Sequence, residues 1–211
     1  MEIVIPLFDR FTALDAVGPY EVLSRVPEAT VRFLGPAAGP VRTDTRMLTI
    51  DAEEAWEEMA APHVVLVSGG FGTRTLLEDD RILGWLRRVH KHSTWTTSVC
   101  TGSLLLAAAG ILDGVDATTH WAARELLGSL GARPVAERVV QRGKVITAAG
   151  VSAGIDMALT LAAHIAGDRT AQAIQLSIEY DPQPPFDTGS LEKAPPRLVD
   201  LVRSAEAAQS D

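Results

Sequence analysis

Cysteine is nearly absent from this sequence: Cys100 is the only one among 211 residues. A single cysteine cannot form an internal disulfide, and no CxxC or paired Cys/His spacing of the zinc type is present. We therefore expect neither a disulfide framework nor a structural metal site. Any cysteine chemistry in this chain therefore depends on the single thiol of Cys100.

Long apolar runs and an excess of positive charge are also missing. No segment reaches the roughly 20 apolar residues that span a bilayer, and no opening stretch has the pattern of a secretory signal peptide. We therefore expect a cytoplasmic protein without a membrane partner. The formal net charge of −8 offers no electrostatic footprint for a phosphate backbone, so nucleic acid is not an expected partner.

The hydrophobic content suits a single folded domain. Hydrophobic residues make up 46% of the chain, which is enough to build one sizeable core at this length. The sequence shows no internal repeat and no linker long enough to divide it. We predict one domain over residues 1–211.

Short apolar runs alternate with helical patterns in the first half. The run EIVIPLF at 2–8 precedes a helical pattern at about 12–26, and further strands are predicted at 31–34, 47–50, 63–70 and 94–99. The runs at 64–67 and 95–99 lack apolar/polar alternation, which is typical of strands covered on both faces. These features predict an α/β fold, a three-layer sandwich around a mostly parallel sheet.

The second half predicts more helices and one antiparallel hairpin. The hairpin spans 137–148 around the turn Arg142-Gly143, and the helices are expected at 101–110, 152–166, 169–179 and from about Ala194. The segment 181–189 is too rich in proline to be regular.

The sequence VCTGS at 99–103 places Cys100 where a buried strand meets a helix. The small residues that follow allow a sharp turn, and the first amides of the helix point at the sulfur, which favours a thiolate. A catalytic nucleophile is one interpretation, and it predicts a partly accessible side chain and an unusual φ at Cys100. The other is a small buried hydrophobic residue, the usual role of a lone cysteine.

Two further segments contribute candidate site residues. Asp15 follows the first strand, and a carboxyl group buried there beside the cysteine is expected to have a raised pKa and to hold a proton. The alternative is a solvated helix acid or a cap. Gly69, Gly70 and Gly72 follow an apolar strand, where their backbone can approach a ligand closely. SGGFGT lacks both the P-loop lysine and the full GxGxxG spacing, so a plain tight turn is the alternative to a binding loop.

The chain resembles the DJ-1/PfpI superfamily over nearly its whole length, and within it the isonitrile hydratase-like branch. The resemblance rests on the order and spacing of six segments: LDAVGPYEVL (14–23), SGGFGT (68–73), SVCTGSLLLAAAGILDG (98–114), ATTHW (117–121), TAAGVSAGIDMAL (147–159) and IEYDPQPPF (178–186). It implies a flavodoxin-like fold, a homodimer, a nucleophile at Cys100 and an acidic partner at Asp15. Most members that resemble DJ-1 have glutamate in this role, so the shorter aspartate is a departure.

The resemblance also implies roles for three other residues. The amides of Gly70 and Thr101 are expected to form an anion-stabilising pocket, and the Thr101 hydroxyl is expected to donate to a substrate or water. For Thr101 the alternative is a residue that satisfies a local backbone group at the start of the helix. His120 is expected near the sulfur, either as a partner of the thiolate or as a structural histidine; we assign proton transfer to Asp15.

Three functions remain open from the sequence. The first is hydration of a small-molecule isonitrile to an N-substituted formamide through a Cys100 thioimidate, with Asp15 as general acid/base and with neither a metal nor an organic cofactor. The second is glyoxalase- or deglycase-like chemistry on an α-oxoaldehyde. The third is a non-catalytic sensor module. About 25 residues follow IEYDPQPPF, which is too few for a helix-turn-helix region and favours an enzyme.

Overall fold

The structure is a computed structural model that describes residues 1–210, with side chains up to residue 207. It has two compact units, Met1–Ile178 and a second that begins at Glu179. The strands are β1 (Glu2–Pro6), β2 (Thr30–Gly35), β3 (Gly39–Arg42), β4 (Thr49–Ala52), β5 (Glu54–Ala55), β6 (Val64–Val67), β7 (Trp95–Val99), β8 (Asp116–Ala117), β9 (Arg133–Pro134), β10 (Val139–Arg142) and β11 (Val145–Ala148). The helices are α1 (Ala13–Leu23), α2 (Asp80–His92), α3 (Gly102–Ala108), α4 (Arg124–Ser129), α5 (Ala153–Ala166), α6 (Asp168–Ser177) and α7 (Pro196–Ser210).

A mostly parallel sheet forms the centre of the first unit. Within the described residues it contains seven strands in the order β10-β11-β7-β6-β1-β2-β5. Every neighbouring pair is parallel except β10 with β11. Helix α1 packs against α5 and α5 against α6, whereas α2 and α4 pack against α3. This arrangement confirms the predicted α/β fold with a mostly parallel sheet and an antiparallel hairpin.

The apolar runs explain where the central strands lie. All four residues of β6 are buried, as expected for a strand with helices on both faces. The hairpin of β10 and β11 turns at Gly143, whose φ of 59° favours glycine. The predicted buried strand at 64–67 and the predicted hairpin at 137–148 therefore both agree with the structure.

Strand β3 is one of the elements that the sequence did not predict. The expected strand at 47–50 lies instead at Thr49–Ala52 and pairs antiparallel with β3 in a separate two-stranded sheet. Strand β3 begins with Gly39-Pro40, two residues that are depleted in strands. Its pairing is therefore set by tertiary contacts rather than by local preference.

Two tryptophans belong to the core of the first unit. Trp56 and Trp85 are almost fully buried. Their indole N–H groups donate to the carbonyl oxygens of Leu7 and Met59 over 3.1 and 2.8 Å respectively. Buried indoles with satisfied N–H groups are core anchors, so these two side chains give no support for the expected dimer interface.

The second unit contains the proline-rich segment and the last helix. Residues 181–189 are irregular, as predicted. Helix α7 begins at Pro196, where a proline suits the first helical position because its missing N–H would have no partner there. The expectation of one domain over residues 1–211 stays a prediction. In the part of the chain that the structure describes, no helix is both long and apolar enough to cross a membrane.

Candidate active site

Cys100 lies in the turn between β7 and α3, in a conformation that few residues adopt. Its φ is 55°, in the left-handed region that disfavours residues with a Cβ. Its N–H donates to the carbonyl oxygens of Ala148 and Ala149 over 3.1 and 3.0 Å, and its carbonyl oxygen accepts from the hydroxyls of Thr119 and Ser103 over 3.0 and 3.2 Å. These bonds hold the strained backbone in place, as is common at reactive positions.

The side chain of Cys100 is more enclosed than the sequence suggested. The residue is 6% exposed, whereas the nucleophile interpretation predicted partial access. The predicted turn and unusual φ are both present. Gly102 brings α3 close to the sheet, since a Cβ there would collide with the carbonyl oxygen of Val67. The small residues after the cysteine therefore serve close packing as well as the turn.

Asp15 is a buried acid on the first turn of α1. It is 0% exposed. Its Oδ2 accepts from the amide of Gly69 over 3.0 Å, and its Oδ1 accepts no hydrogen bond from the described residues. The pKa of Asp15 is raised from 3.8 to about 7, with burial as the largest cause. Hydrogen bonds from the Gly69 amide and the Cys100 thiol oppose the rise, and the charge of Asp44 adds to it. The raised pKa agrees with the sequence-based expectation.

The pKa of Cys100 is raised well above its ordinary value. Burial is the main cause and the charge of Asp15 the second, whereas the backbone amides of Val151 and Thr101 lower it through hydrogen bonds to the sulfur. The Thr101 amide at the start of the helix thus favours a thiolate, as expected, but burial and the charge of Asp15 outweigh it. Helix α3 has only seven residues, and its partial charge does not offset the burial of a thiolate.

The glycine turn after β6 packs directly against Asp15 and Thr101. A Cβ at Gly69 would lie 2.6 Å from the Thr101 nitrogen and 2.7 Å from Asp15 Oδ2. Gly70 has a φ of 138°, and a Cβ there would lie 2.6 Å from the Cα of Phe11. A Cβ at Gly72 would collide with a backbone carbonyl oxygen. These glycines are therefore required for close backbone packing beside the site.

Thr101 and Gly70 exchange hydrogen bonds across the site. The Gly70 amide donates to Thr101 Oγ1 over 2.9 Å, and the same hydroxyl donates to the Gly70 carbonyl oxygen over 3.1 Å. Although Thr101 occupies the N-cap position of α3, its hydroxyl makes no capping hydrogen bond to that helix. It thus satisfies backbone groups of a distant segment, and the Gly70 amide points at this hydroxyl.

His120 lies next to the loop that contacts the sulfur. A Cβ at Gly150 would lie 2.6 Å from His120 Cδ2, so glycine at this position makes room for the imidazole. Val151, whose amide donates to the Cys100 sulfur, is the next residue. His120 also contacts Trp121, with 5.5 Å between ring centroids. The imidazole of His120 therefore packs against residue 150, and the next residue in the chain contacts the sulfur.

Sequence reasoning missed two residues that shape the site. Val151 has a φ of 26°, a clear outlier for a β-branched residue, and no local pattern announces it. Asp44 affects the pKa of Asp15 from the loop between β3 and β4, a hairpin that the sequence did not predict. Among the residues that the structure describes, no group of three His, Cys, Asp or Glu side chains is arranged to hold a metal ion.

The sequence model of the DJ-1/PfpI family matches residues 1–164. The chain belongs to the DJ-1/PfpI family. The matched residues include Asp15, the glycine turn, Cys100 and His120. Every part of the site described above is therefore within the family's region of the chain.

Relatives in the DJ-1/PfpI family include both enzymes and regulators. The isonitrile hydratase of Pseudomonas putida is 44% identical over 207 residues, which cover 98% of this chain and 90% of the enzyme. The HTH-type transcriptional regulator CdhR of Pseudomonas aeruginosa is 29% identical over 182 residues, covering 84% of this chain but only 53% of the regulator. The chain therefore spans nearly all of the enzyme and about half of the regulator.

Two solved structures of the DJ-1/PfpI family superpose closely on this chain. A THiJ/PfpI family protein from Pseudomonas syringae has a TM-score of 0.94 and 33% identity, covering 99% of this chain and 87% of its own. Drosophila melanogaster DJ-1beta has a TM-score of 0.78 at 20% identity, covering 86% of this chain and 98% of its own. The second likeness concerns the fold alone, which is the flavodoxin-like sandwich.

Proposed function

We propose that this protein hydrates a small isonitrile to an N-substituted formamide, with Cys100 as nucleophile and Asp15 as general acid/base. The observation that carries the proposal is the buried Asp15 carboxyl, with a pKa of about 7 and one oxygen without a hydrogen-bond partner among the described residues, next to the Cys100 thiol. An acid with this pKa can both give and take a proton near neutral pH. The similarity to the Pseudomonas putida isonitrile hydratase supports the choice of substrate class.

The protonation of the pair suits an isonitrile. Burial keeps the thiol protonated and holds a proton on Asp15 up to about pH 7. The terminal carbon of an isonitrile carries a lone pair and accepts a proton, after which it is open to attack by sulfur. A neutral thiol beside a protonated acid is therefore a competent starting state for this substrate.

The first step adds the S–H group across the terminal carbon. Asp15 delivers its proton to that carbon, the sulfur of Cys100 forms a bond to the same carbon, and the thiol proton passes to the Asp15 carboxylate. The product is a thioimidate, R–N=CH–S, on Cys100. Asp15 ends the step protonated, so it acts as a relay between sulfur and carbon.

The second step hydrolyses the thioimidate. Water adds its oxygen to the thioimidate carbon and the nitrogen gains a proton, which gives R–NH–CH(OH)–S on the enzyme. Collapse of this tetrahedral species breaks the C–S bond and releases the formamide R–NH–CHO. The hydroxyl proton returns to sulfur and restores the thiol, with Asp15 as the group that moves the protons.

Backbone and hydroxyl donors near the sulfur complete the proposed site. The amides of Val151 and Thr101 face the sulfur and stabilise negative charge that develops there during the reaction. The Thr101 hydroxyl donates to the Gly70 carbonyl oxygen and accepts from the Gly70 amide, and its remaining acceptor position is proposed to orient the attacking water. His120 has no assigned step, and the cytoplasmic location stays a prediction from the sequence.

The other two functions use the same fold in different ways. Glyoxalase- or deglycase-like chemistry needs hydrogen-bond donors for two substrate oxygens, whereas the Gly70 amide already donates to Thr101 Oγ1. A sensor module needs no proton transfer, and a buried unpaired carboxyl oxygen then has a cost without a use. The similarity to half of the regulator CdhR keeps the sensor function as the alternative.

A substrate panel tests the proposal directly. The purified full-length protein is incubated with isonitriles of different size and, separately, with methylglyoxal, and formamide and lactate are quantified. Formamide formation that disappears in Cys100→Ser supports the proposed function. Lactate formation alone identifies the glyoxalase-like activity, and binding of an isonitrile without any product identifies the sensor.

A further inference from the structure

Helix α1 begins with the spacing of a capping box that is not formed. Thr12 occupies the N-cap position and Asp15 the third helical position. In a capping box the N-cap hydroxyl accepts from the third residue's amide, and the acid reaches back to the N-cap amide. Here the Thr12 side chain makes no cap hydrogen bond, and the Thr12 amide donates to the Gly69 carbonyl oxygen over 2.8 Å.

Both polar side chains bind elsewhere instead. Thr12 Oγ1 donates to Asp44 Oδ2 over 2.7 Å. Asp15 turns inward and accepts from the Gly69 amide. Because the Thr12 hydroxyl and the Asp15 carboxylate both bind groups outside α1, the Asp15 carboxyl is available to Cys100 rather than to the amides of its own helix.

Asp44 is itself fixed by its surroundings. Its Oδ1 accepts from the Thr45 amide over 2.7 Å, and its own amide donates to the Phe11 carbonyl oxygen over 2.9 Å. Phe11 forms β-bridges to both Thr43 and Gly70. Residues 11–12 therefore lie between the loop that carries Asp44 and the glycine turn, so a displacement of Asp44 is passed on to α1 and to the turn.

We propose that Asp44 is a positioning residue for Asp15: it holds the Thr12 hydroxyl away from the start of α1 while the Gly69 carbonyl oxygen occupies the Thr12 amide, so that no capping box forms and the Asp15 carboxyl stays turned toward Cys100. The proposal rests on the proposed function only for its effect on turnover, because the orientation and protonation of Asp15 are properties of the resting protein. It assigns a role in the site to a hairpin that lies outside the central sheet.

The negative charge of Asp44 also favours a protonated Asp15, in addition to the effect of the Thr12 hydrogen bond on the orientation of that carboxyl group. The ionisable groups that influence Asp15 are Cys100, from the turn after β7, and Asp44, from the loop between β3 and β4. The negative charge of Asp44 disfavours a second carboxylate nearby, so Asp15 keeps its proton to higher pH. In the same loop, the Arg46 guanidinium binds the Asp9 carboxylate over 2.7 Å.

The test separates hydrogen bond from charge. Asp44→Asn keeps an acceptor for the Thr12 hydroxyl but removes the charge, whereas Thr12→Val removes the hydroxyl and leaves the charge. Thr12→Ser restores the hydroxyl and serves as the rescue. Asp51→Asn, an exposed aspartate on β4 of the same hairpin, is the control for a lost charge.

The first readout is the titration of the Asp15 carboxyl carbon by NMR in the full-length protein, assigned by its loss in Asp15→Asn. We expect Asp44→Asn to lower the protonated-to-ionised ratio of Asp15 at neutral pH by roughly threefold or more. Asp51→Asn should leave this ratio unchanged. An unaltered titration of Asp15 in Asp44→Asn would overturn the electrostatic part of the proposal.

The second readout is turnover of an isonitrile. We expect Thr12→Val to lower kcat about tenfold with little change in KM, because the carboxyl loses its orientation but the substrate pocket remains. Thr12→Ser should restore kcat. Equal kcat for Thr12→Val and the wild type overturns the positioning role. If the wild type does not hydrate isonitriles, the proposed function fails, while the NMR titration still decides the proposal about Asp44.

Discussion

Asp15 and Cys100 influence each other's protonation in opposite directions. The charge of Asp15 raises the pKa of the Cys100 thiol, whereas the interaction with that thiol lowers the pKa of Asp15. For both groups burial is the largest cause of the final value. The pair therefore rests in a neutral form at moderately acidic pH, and ionisation of the acid near pH 7 makes a thiolate harder to form.

Cys100→Ser should abolish turnover while the protein remains folded. A serine hydroxyl is nearly the size of a thiol but lacks its nucleophilicity. Product formation and thermal unfolding measured on the same preparation check both parts. Turnover at the wild-type rate in this variant would exclude a covalent mechanism at Cys100.

Asp15→Asn should slow isonitrile hydration by roughly 10²- to 10⁴-fold, the usual contribution of a positioned acid or base. At the same time Cys100 should react faster with an alkylating agent at mildly alkaline pH, by roughly 3- to 10-fold, because the charge that opposes a thiolate is gone. Stopped-flow alkylation and steady-state kinetics give the two rates. Undiminished turnover would transfer the proton-transfer role to His120 or to water.

The losses in the two variants should not be additive. Residues that act in the same chemical step share its barrier, so Asp15→Asn combined with Cys100→Ser should be little worse than Cys100→Ser alone. Residual turnover of the three proteins under one set of conditions provides the comparison. A double variant that loses far more than either single variant would indicate that the two residues serve separate steps.

Stability should fall as the pH rises through the window set by Asp15. Its pKa is 3.8 when unfolded and about 7 when folded, so between these values the folded protein keeps a proton that the unfolded chain has lost. The contribution of Asp15 to the free energy of unfolding is fully present below the unfolded pKa. Up to about 4 kcal/mol of it is lost as the pH rises through the folded pKa. Chemical unfolding of the wild type and Asp15→Asn from about pH 4 to about pH 8 should show a flatter profile in the variant. Parallel profiles would contradict the assignment.

Gly69→Ala should cost activity far more than a glycine replacement elsewhere. The added methyl would lie 2.7 Å from Asp15 Oδ2 and 2.8 Å from Thr101 Oγ1, so both side chains have to move. Gly84→Ala, on the open surface of α2 with 3.8 Å to its nearest atom, should be neutral or stabilising by up to about 1 kcal/mol. Activity of Gly69→Ala equal to that of Gly84→Ala would show that the close packing at the turn has no effect on catalysis.

The protein should sediment as a homodimer at micromolar concentration. The prediction rests on the family resemblance alone. Trp56 and Trp85 lie in the core and Trp95 packs against it, so these three tryptophans give the interface no support. Sedimentation velocity over a range of concentrations measures the species directly. A monomer throughout that range would be the contrary result.

Local patterns were sufficient for the framework of the fold and for the position of Cys100 at a turn between a strand and a helix. The lack of apolar/polar alternation in β6 and β7 predicted buried parallel strands, since a strand covered on both faces has no exposed polar side. The small residues after Cys100 predicted the sharp turn, because a close approach of strand and helix leaves no space for larger side chains. These properties depend on residues that are neighbours in the sequence.

The chemistry of the site was decided by tertiary structure. The sequence alone suggested a thiolate at Cys100, but burial and the charge of Asp15 raise the pKa of the thiol. The bond from Thr12 to Asp44 joins residues from a helix start and an unpredicted hairpin. Burial and charge interactions depend on distances between segments that are remote in sequence, so only the folded chain determines whether a carboxyl group holds its proton and which side chain it faces.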